Sequence, residues 1–302
     1  MSAGEVAGMA TPGRATVLER ILGETREEIE RRKRLVALRE MEAQAGEARA
    51  AVATGVDVDR LKHGGASPIR SPGFGGRFHQ ALGRPGIGVI AEFKRRSPSV
   101  GKLRELEPDI AEIVSAYERG GASALSVLTE GPNFDGSLAD IGVARGACGL
   151  PILRKDFVVD PYQLYEAVVA GADAVLLIVA ALEQEELASL HDRALGLGLD
   201  VLVEVHDRDE LVRAGQVGAR LIGVNNRDLR DFSVDVGRTE RLLAEMPAGT
   251  TVVSESGISE PRQLEQLERA GVAAVLVGES LMRAPEPERV LAKLLAGSSA
   301  QG

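Results

Sequence analysis

From residue 87 onward the chain alternates short apolar runs with longer segments of helical period. The runs are IGVIAEF (87–93), ALSVLT (124–129), PILRKDF (151–157), AVLLIVA (174–180), VLVEVH (201–206), LIGVNN (221–226), TVVSES (251–256) and AAVLVG (273–278). The segments between them predict helices near 108–119, 137–147, 161–170, 183–197, 207–214, 236–245 and 260–270, with a last one near 286–296. Strands that are apolar along their length suit a parallel sheet covered on both faces. Eight βα units in about 200 residues predict an α/β protein built as a single (β/α)8 TIM barrel. A doubly wound open sheet is the competing arrangement. It usually needs fewer strands, and the GxGxxG fingerprint after the first strand is missing. Helix ends agree with the pattern. Asp160-Pro161 and Ser259-Glu260-Pro261 set an N-cap before a first-turn proline, and glycines at 120–121, 171 and 271 follow helices.

Ahead of the barrel the chain reads in three pieces. Residues 1–15 are small and nearly uncharged, as in a mobile tail. Residues 16–45 carry an apolar stripe (Val17, Leu18, Ile21, Leu22, Ile29, Leu35, Val36, Leu38) between charged positions, with Glu27, Glu28, Arg31 and Arg32 forming i,i+4 pairs. This predicts an amphipathic N-terminal helix, docked on its own domain or, alternatively, offered to a partner. Residues 46–76 lose periodicity and include HGGASPIRSPGFGGR, which reads as a flexible Gly/Pro-rich connection. GFGGR is no phosphate loop: no strand precedes it and no GKS/T follows. Residues 77–302 are then expected to form the barrel domain.

Composition narrows the classes. With 36 Lys+Arg against 45 Asp+Glu the net charge is −9, which argues against nonspecific nucleic-acid binding. No stretch approaches the roughly 20 apolar residues of a membrane span. The single Cys148 leaves no disulfide framework and no cysteine zinc site, and suits a reducing, cytoplasmic setting. The start shows no basic-then-apolar export signal.

The strands are apolar until their C-terminal ends, where charge appears: Glu92 and Lys94, Lys155 and Asp156, Glu204, Asn225 and Asn226, Glu255 and Ser256. Glu92 and Lys94 lie two apart and so share one face of a strand. In a parallel barrel all such ends meet at one mouth, where barrel chemistry is built. Buried ions are kept when paired or used. Mixed signs at close range shift pKa values in opposite directions, which suits general acid–base work. His63, His79, His191 and His206 share no motif and read as surface or packing residues. Ser256-Gly257 and Gly278-Glu279-Ser280 follow the last two strands, where barrels commonly bind phosphate through turn amides. A carboxylate at Glu279 is unfavourable beside phosphate unless it points away.

Taken together, AEFKRRSPSVG (91–101), ILRKDFVVDPYQ (152–163), LVEVHD (202–207), IGVNNRDL (222–229), SESGIS (254–259) and LVGESLM (276–282) resemble the indole-3-glycerol-phosphate synthase family, over roughly residues 78–285. The resemblance implies a phosphate-binding TIM barrel of tryptophan biosynthesis that acts as a carboxy-lyase without metal or organic cofactor. It implies closure, decarboxylation and dehydration of 1-(2-carboxyphenylamino)-1-deoxyribulose 5-phosphate to indole-3-glycerol phosphate. Lys155 matches the principal acid and Glu204 an acid–base residue, with Glu92 and Lys94 also implicated. Asn225 and Glu255 match positions that hold substrate hydroxyls and the mouth network. Ser97, Ser256, Gly257, Gly278 and Glu279 fall at phosphate positions. Phe134, Phe157, Leu176 and Leu229 match the ring pocket, with Arg227 beside it. The leading helix and the SPSVGKLRE loop are expected to cover the ligand. The expected partner is a phosphorylated small molecule, with no nucleic acid or membrane, on a monofunctional monomer or weak homo-oligomer. Rival readings are another phosphate-binding barrel, such as phosphoribosylanthranilate isomerase or the tryptophan synthase α subunit, and a catalytically silent assembly subunit.

Overall fold

The computed structural model describes residues 16–53, 75–98, 100–104, 108–228 and 233–296. The proposed tail, residues 54–74 of the connection, His63, Ser99 and Leu229 lie outside these described residues. Strand β1 (Gly88–Phe93) is followed by a two-stranded antiparallel ribbon, β2 (Arg96–Ser97) with β3 (Gly101–Lys102). The strands that follow are β4 (Ala124–Leu128), β5 (Ile152–Lys155), β6 (Ala174–Ile178), β7 (Asp200–Val205), β8 (Leu221–Asn225), β9 (Thr251–Glu255) and β10 (Ala274–Val277). β1 and β4 to β10 close into one barrel in chain order, with β1 pairing in parallel with both β4 and β10. The open-sheet alternative is thereby excluded. Every residue of β4, β6, β7, β8 and β10 is buried, as expected for strands lined inside by core and outside by helices.

Helices α1 (Val17–Leu35), α2 (Leu38–Ala53) and α3 (Arg77–Leu82) precede the barrel. Between strands come α4 (Ile110–Arg119), α5 (Ala139–Ala147), α6 (Pro161–Ala170), α7 (Gln184–Gly196), α8 (Arg208–Gln216), α9 (Arg238–Leu243) and α10 (Pro261–Arg269). The short α11 (Glu279–Arg283) and then α12 (Pro287–Ala296) are the last described elements. Asp160 caps α6 and Gly171 ends it at φ +87, as their residue types predict. At α10, Gln263 Oε1 accepts the backbone N–H groups of Ser259 and Glu260 at 2.9 and 3.0 Å. No described helix is long and apolar enough to cross a membrane.

The N-terminal extension departs from the sequence reading. The single helix expected over 16–45 is two helices, which break at Val36, and residues 46–53 continue α2 instead of opening the connection. The apolar stripe faded there because α2 packs through small residues, such as the fully buried Ala45, and alanine favours helix without marking a periodic stripe. Ile29, Met41 and Ala45 meet Tyr162 and Tyr165 of α6 in a small second core. Polar links fix the register: Lys33 pairs with Asp160 at 2.7 Å, and Tyr162 donates its hydroxyl proton to the Val36 carbonyl at 3.1 Å. The extension is therefore docked on its own barrel. Helix α3 was not foreseen. It closes the N-terminal end of the barrel, where Asp200, the first residue of β7, accepts the backbone N–H groups of Gly76 and His79.

Arg154 is fully buried between β5 and α6. Its guanidinium donates to the Gln163 carbonyl at 2.6 Å, to Asp156 at 3.0 Å and to Glu166 at 3.2 Å. Arg32 of α1 approaches the other oxygen of Glu166 at 3.2 Å. Removing one partner of such a network strands the others without water. Arg154→Met is expected to lower stability by about 3–5 kcal/mol, read from urea unfolding.

Candidate active site

Alternation along each strand decides which side chains reach the barrel interior. On β5 Arg154 faces the helical layer, so Lys155 faces the mouth. On β7 and β9 the same parity turns Glu204 and Glu255 inward, and on β1 it turns Glu92 inward with Lys94 just beyond the strand end. These side chains line one cavity of about 460 Å³ at the C-terminal ends of the strands. Of the residues singled out in the sequence, Glu92, Lys94, Ser97, Phe134, Lys155, Phe157, Leu176, Glu204, Asn225, Arg227, Glu255, Ser256, Gly257, Gly278 and Glu279 all line it.

The polar wall is a chain of ions. Lys155 Nζ donates to Glu204 Oε2 at 2.9 Å and to Glu255 Oε2 at 2.7 Å, bridging two carboxylates. Lys94 Nζ lies 2.7 Å from Glu92 Oε1. Asn225 Nδ2 donates to Glu204 Oε1 at 3.1 Å, and Ser256 donates its hydroxyl proton to Asn225 Oδ1 at 2.9 Å. Glycines make the room. A Cβ at Gly223 would collide with Glu255 Oε1, and one at Gly278 with Glu92 Oε1. The rings of Phe134 and Phe157, 6.2 Å apart, line the same cavity, as does Leu176. Glu130 accepts the Phe134 backbone N–H at 2.9 Å and so holds that loop.

Two turns after β9 and β10 complete the rim. Ser256 has φ +67 and Gly257 φ +81. A left-handed serine is strained, and such strain clusters at functional sites. The buried Asn226 holds this turn by donating to the Ser256 carbonyl at 3.1 Å. Glu279 turns its carboxylate toward Arg283, at 3.2 Å, and Arg227, at 4.0 Å.

Several contributors escaped the sequence reading. Arg283 also lines the cavity, without a motif to mark it, whereas Ser280 of the Gly278-Glu279-Ser280 turn lines it as the sequence suggests. His206 is no surface or simple packing residue: its Nε2 faces Glu204 Oε1 at 3.5 Å. The signal was available, since His206 follows Glu204 by two residues as Lys94 follows Glu92. No residue of α1 or α2 lines the cavity, against the expectation that the leading helix covers it; Ser97 and Pro98 of the loop after β1 do. The extension reaches the mouth indirectly, through Asn133, which donates to Glu24 at 2.8 Å beside Phe134. Among the described residues no cluster of three or more His, Cys, Asp or Glu is arranged to hold a metal ion.

Burial would lower the Lys155 pKa, but Glu204, Glu255 and Glu92 overcome it and keep the ammonium charged. Burial would raise Glu204, but Lys155 and His206 hold it below the usual carboxylate range. At Glu255 burial wins over Lys155, and the charges of Glu204 and Glu92 add to it, pushing the carboxyl up to about 7. A carboxyl whose pKa is raised in the folded state favours folding below its unfolded pKa, and that contribution is lost as pH rises through the folded value. Glu255→Gln abolishes this titration. The variant is expected to unfold about 2–4 °C higher than the parent at pH 8, with the gain shrinking toward pH 4.5, in calorimetric scans across pH.

A family model described as indole-3-glycerol phosphate synthase matches residues 71–294. An indole-3-glycerol phosphate synthase of Kineococcus radiotolerans is 51% identical over 214 residues, covering 71% of this chain and 78% of that one. The indole-3-glycerol phosphate synthase 2 of Streptomyces coelicolor is 53% identical over 210 residues, covering 70% and 81%. That of Rhizorhabdus wittichii is 47% identical over 226 residues, covering 75% and 85%. Among solved structures, a 3-hexulose-6-phosphate synthase superposes with a TM-score of 0.56 at 16% identity, covering 70% of this chain and 99% of that chain. An orotidine 5′-phosphate decarboxylase from Pyrococcus horikoshii gives 0.52 at 12%, covering 70% and 97%. At those identities the two structures share the fold alone. The sequence relatives and the family model decide the family: this chain belongs to the indole-3-glycerol phosphate synthases.

Proposed function

We propose that this chain closes, decarboxylates and dehydrates 1-(2-carboxyphenylamino)-1-deoxyribulose 5-phosphate to indole-3-glycerol phosphate, and that residues 77–302 carry the chemistry. The observation that supports this most directly is the bridge Glu204–Lys155–Glu255 in a cavity that Phe134 and Phe157 also line. An aryl ring carbon must attack a ribulose carbonyl, and negative charge grows on the carbonyl oxygen. A charged ammonium aimed into a water-poor cavity stabilises that oxygen and supplies its proton, and Lys155 is such a group. Carbon dioxide then leaves from the ring carbon that made the attack, and the electron pair of the broken C–C bond restores aromaticity. The new hydroxyl departs as water while the neighbouring carbon gives up a proton. Glu204, kept ionised by Lys155 and His206, suits the base. Glu255 is the carboxyl of this cluster that exchanges a proton near neutrality.

Binding roles follow from chemistry. Phe134, Phe157 and Leu176 would take the anthranilate ring, while Leu229, expected beside them, lies outside the described residues. Lys94 and Arg227 suit the substrate carboxylate. The amides of Gly257, Gly278 and Glu279 and the hydroxyls of Ser97 and Ser256 suit the phosphate, because turn amides present partial positive charge at close range. Glu279 contributes its backbone, with its carboxylate drawn toward Arg227 and Arg283. A cytoplasmic location fits this biosynthetic role.

The direct test is a spectroscopic assay for indole-3-glycerol phosphate formation, run with a metal chelator present. Lys155→Met keeps an unbranched side chain of nearly the same length and removes the ammonium and its protons. It is expected to lower kcat at least about a thousandfold, with the folded far-UV spectrum retained. Near-normal ring closure in this variant would defeat the assignment. Ser256→Asp sets a carboxylate against the phosphate and is expected to raise KM at least about tenfold, whereas an unchanged KM would count against the anion site.

A further inference from the structure

Two strand ends of the barrel repeat one pattern. Glu92 on β1 is followed two residues later by Lys94, and Glu204 on β7 by His206. The first pair lines the cavity, whereas of the second only Glu204 does, and His206 contacts it from outside that lining. His206 Nε2 is buried without a hydrogen bond, 3.5 Å from Glu204 Oε1. Nδ1 lies 3.1 Å from Glu210 Oε2 in the first turn of α8, and that oxygen also accepts the His206 backbone N–H at 2.7 Å. Two contacts to one carboxylate oxygen thus fix the ring with its other nitrogen toward the site.

We propose that His206 is a positioning residue for Glu204, holding Oε1 and its negative charge from outside the cavity lining while Lys155 holds Oε2. This rests on the reading of Glu204 as an acid–base residue. Both ring nitrogens face carboxylate oxygens. A neutral imidazole must turn a lone pair toward one of them, whereas the imidazolium offers N–H to both. The charged groups around the ring are Glu204 on β7, Glu210 on α8 and Arg238 on α9. Arg238 opposes the second proton, but its guanidinium donates to the Asn225 carbonyl at 2.8 Å and lies 3.9 Å from Asp228. Burial also opposes the charge, yet the Glu210 hydrogen bond and the two carboxylates reverse it and raise the pKa of His206 above the ordinary value. As pH climbs through that raised value the ring loses its proton, and Glu204 loses one of the charges that keep it ionised and aimed.

The test has two arms. In the first, the imidazole titration of His206 is followed by NMR and assigned by its absence from His206→Gln. The midpoint should lie above the ordinary imidazole value in the parent and fall in Glu204→Gln, which removes one of the carboxylates that raise it. An unshifted midpoint in Glu204→Gln overturns the pairing, whether or not the chain is a synthase. In the second, kcat and KM are measured across pH. His206→Gln, or His206→Asn where the longer amide does not fold, should lower kcat about tenfold, leave KM within about twofold and flatten the alkaline limb. A packing role would lower thermal stability alone, so unaltered kcat and pH profile overturn the proposal.

Discussion

The ammonium of Lys155, buried between the carboxylates of Glu204 and Glu255, is the interaction on which the mouth of this barrel depends. Each carboxylate is about 1% exposed, so neither could stay charged there alone. Closure of the sheet brings β5, β7 and β9 to a common rim, and the bridge spans that rim at its C-terminal end. A hydrophobic replacement of the same volume would stabilise such a position at least as well. The cluster therefore carries a cost in stability that a scaffold has no reason to bear, and that an acid–base catalyst uses.

The rest of the molecule serves to hold that cluster still and dry. Gly223 and Gly278 clear the space in which Glu255 and Glu92 lie. Asn225 couples the Glu204 carboxylate to the Ser256 turn, so the ionic wall and the rim amides form one hydrogen-bonded unit. A second network, centred on Arg154, ties β5 to α6 and through Glu166 to Arg32 of the N-terminal extension. Adjacent residues of one strand thus divide the labour: Arg154 fastens the outer layer, and Lys155 faces the chemistry.

Much of this was legible in the chain itself. The eight apolar runs predicted eight strands, and their ends fell within a residue or two of the observed ones because turns and caps punctuate them. Charge gathered at the C-terminal ends of the strands marked the mouth. Other features were illegible for physical reasons. The break at Val36 leaves no glycine or proline to announce it, and its geometry comes from docking on Tyr162. Helix α3 is short and acts as a plug through contacts with Asp200 more than a hundred residues away. Ser256 adopts a conformation that serine rarely chooses, and only the surrounding hydrogen bonds impose it.

The sequence by itself determined the barrel, its strand order and the membership of the ionic cluster, because alternation and apolar periodicity are local properties of the chain. Tertiary structure alone decided that burial pushes the Glu255 carboxyl up while Lys155 holds Glu204 down, and which oxygen of Glu204 faces Lys155 and which faces His206. Those outcomes depend on distance, burial and the sum of neighbouring charges. Such quantities exist only once β1, β5, β7 and β9 have been brought around a single axis.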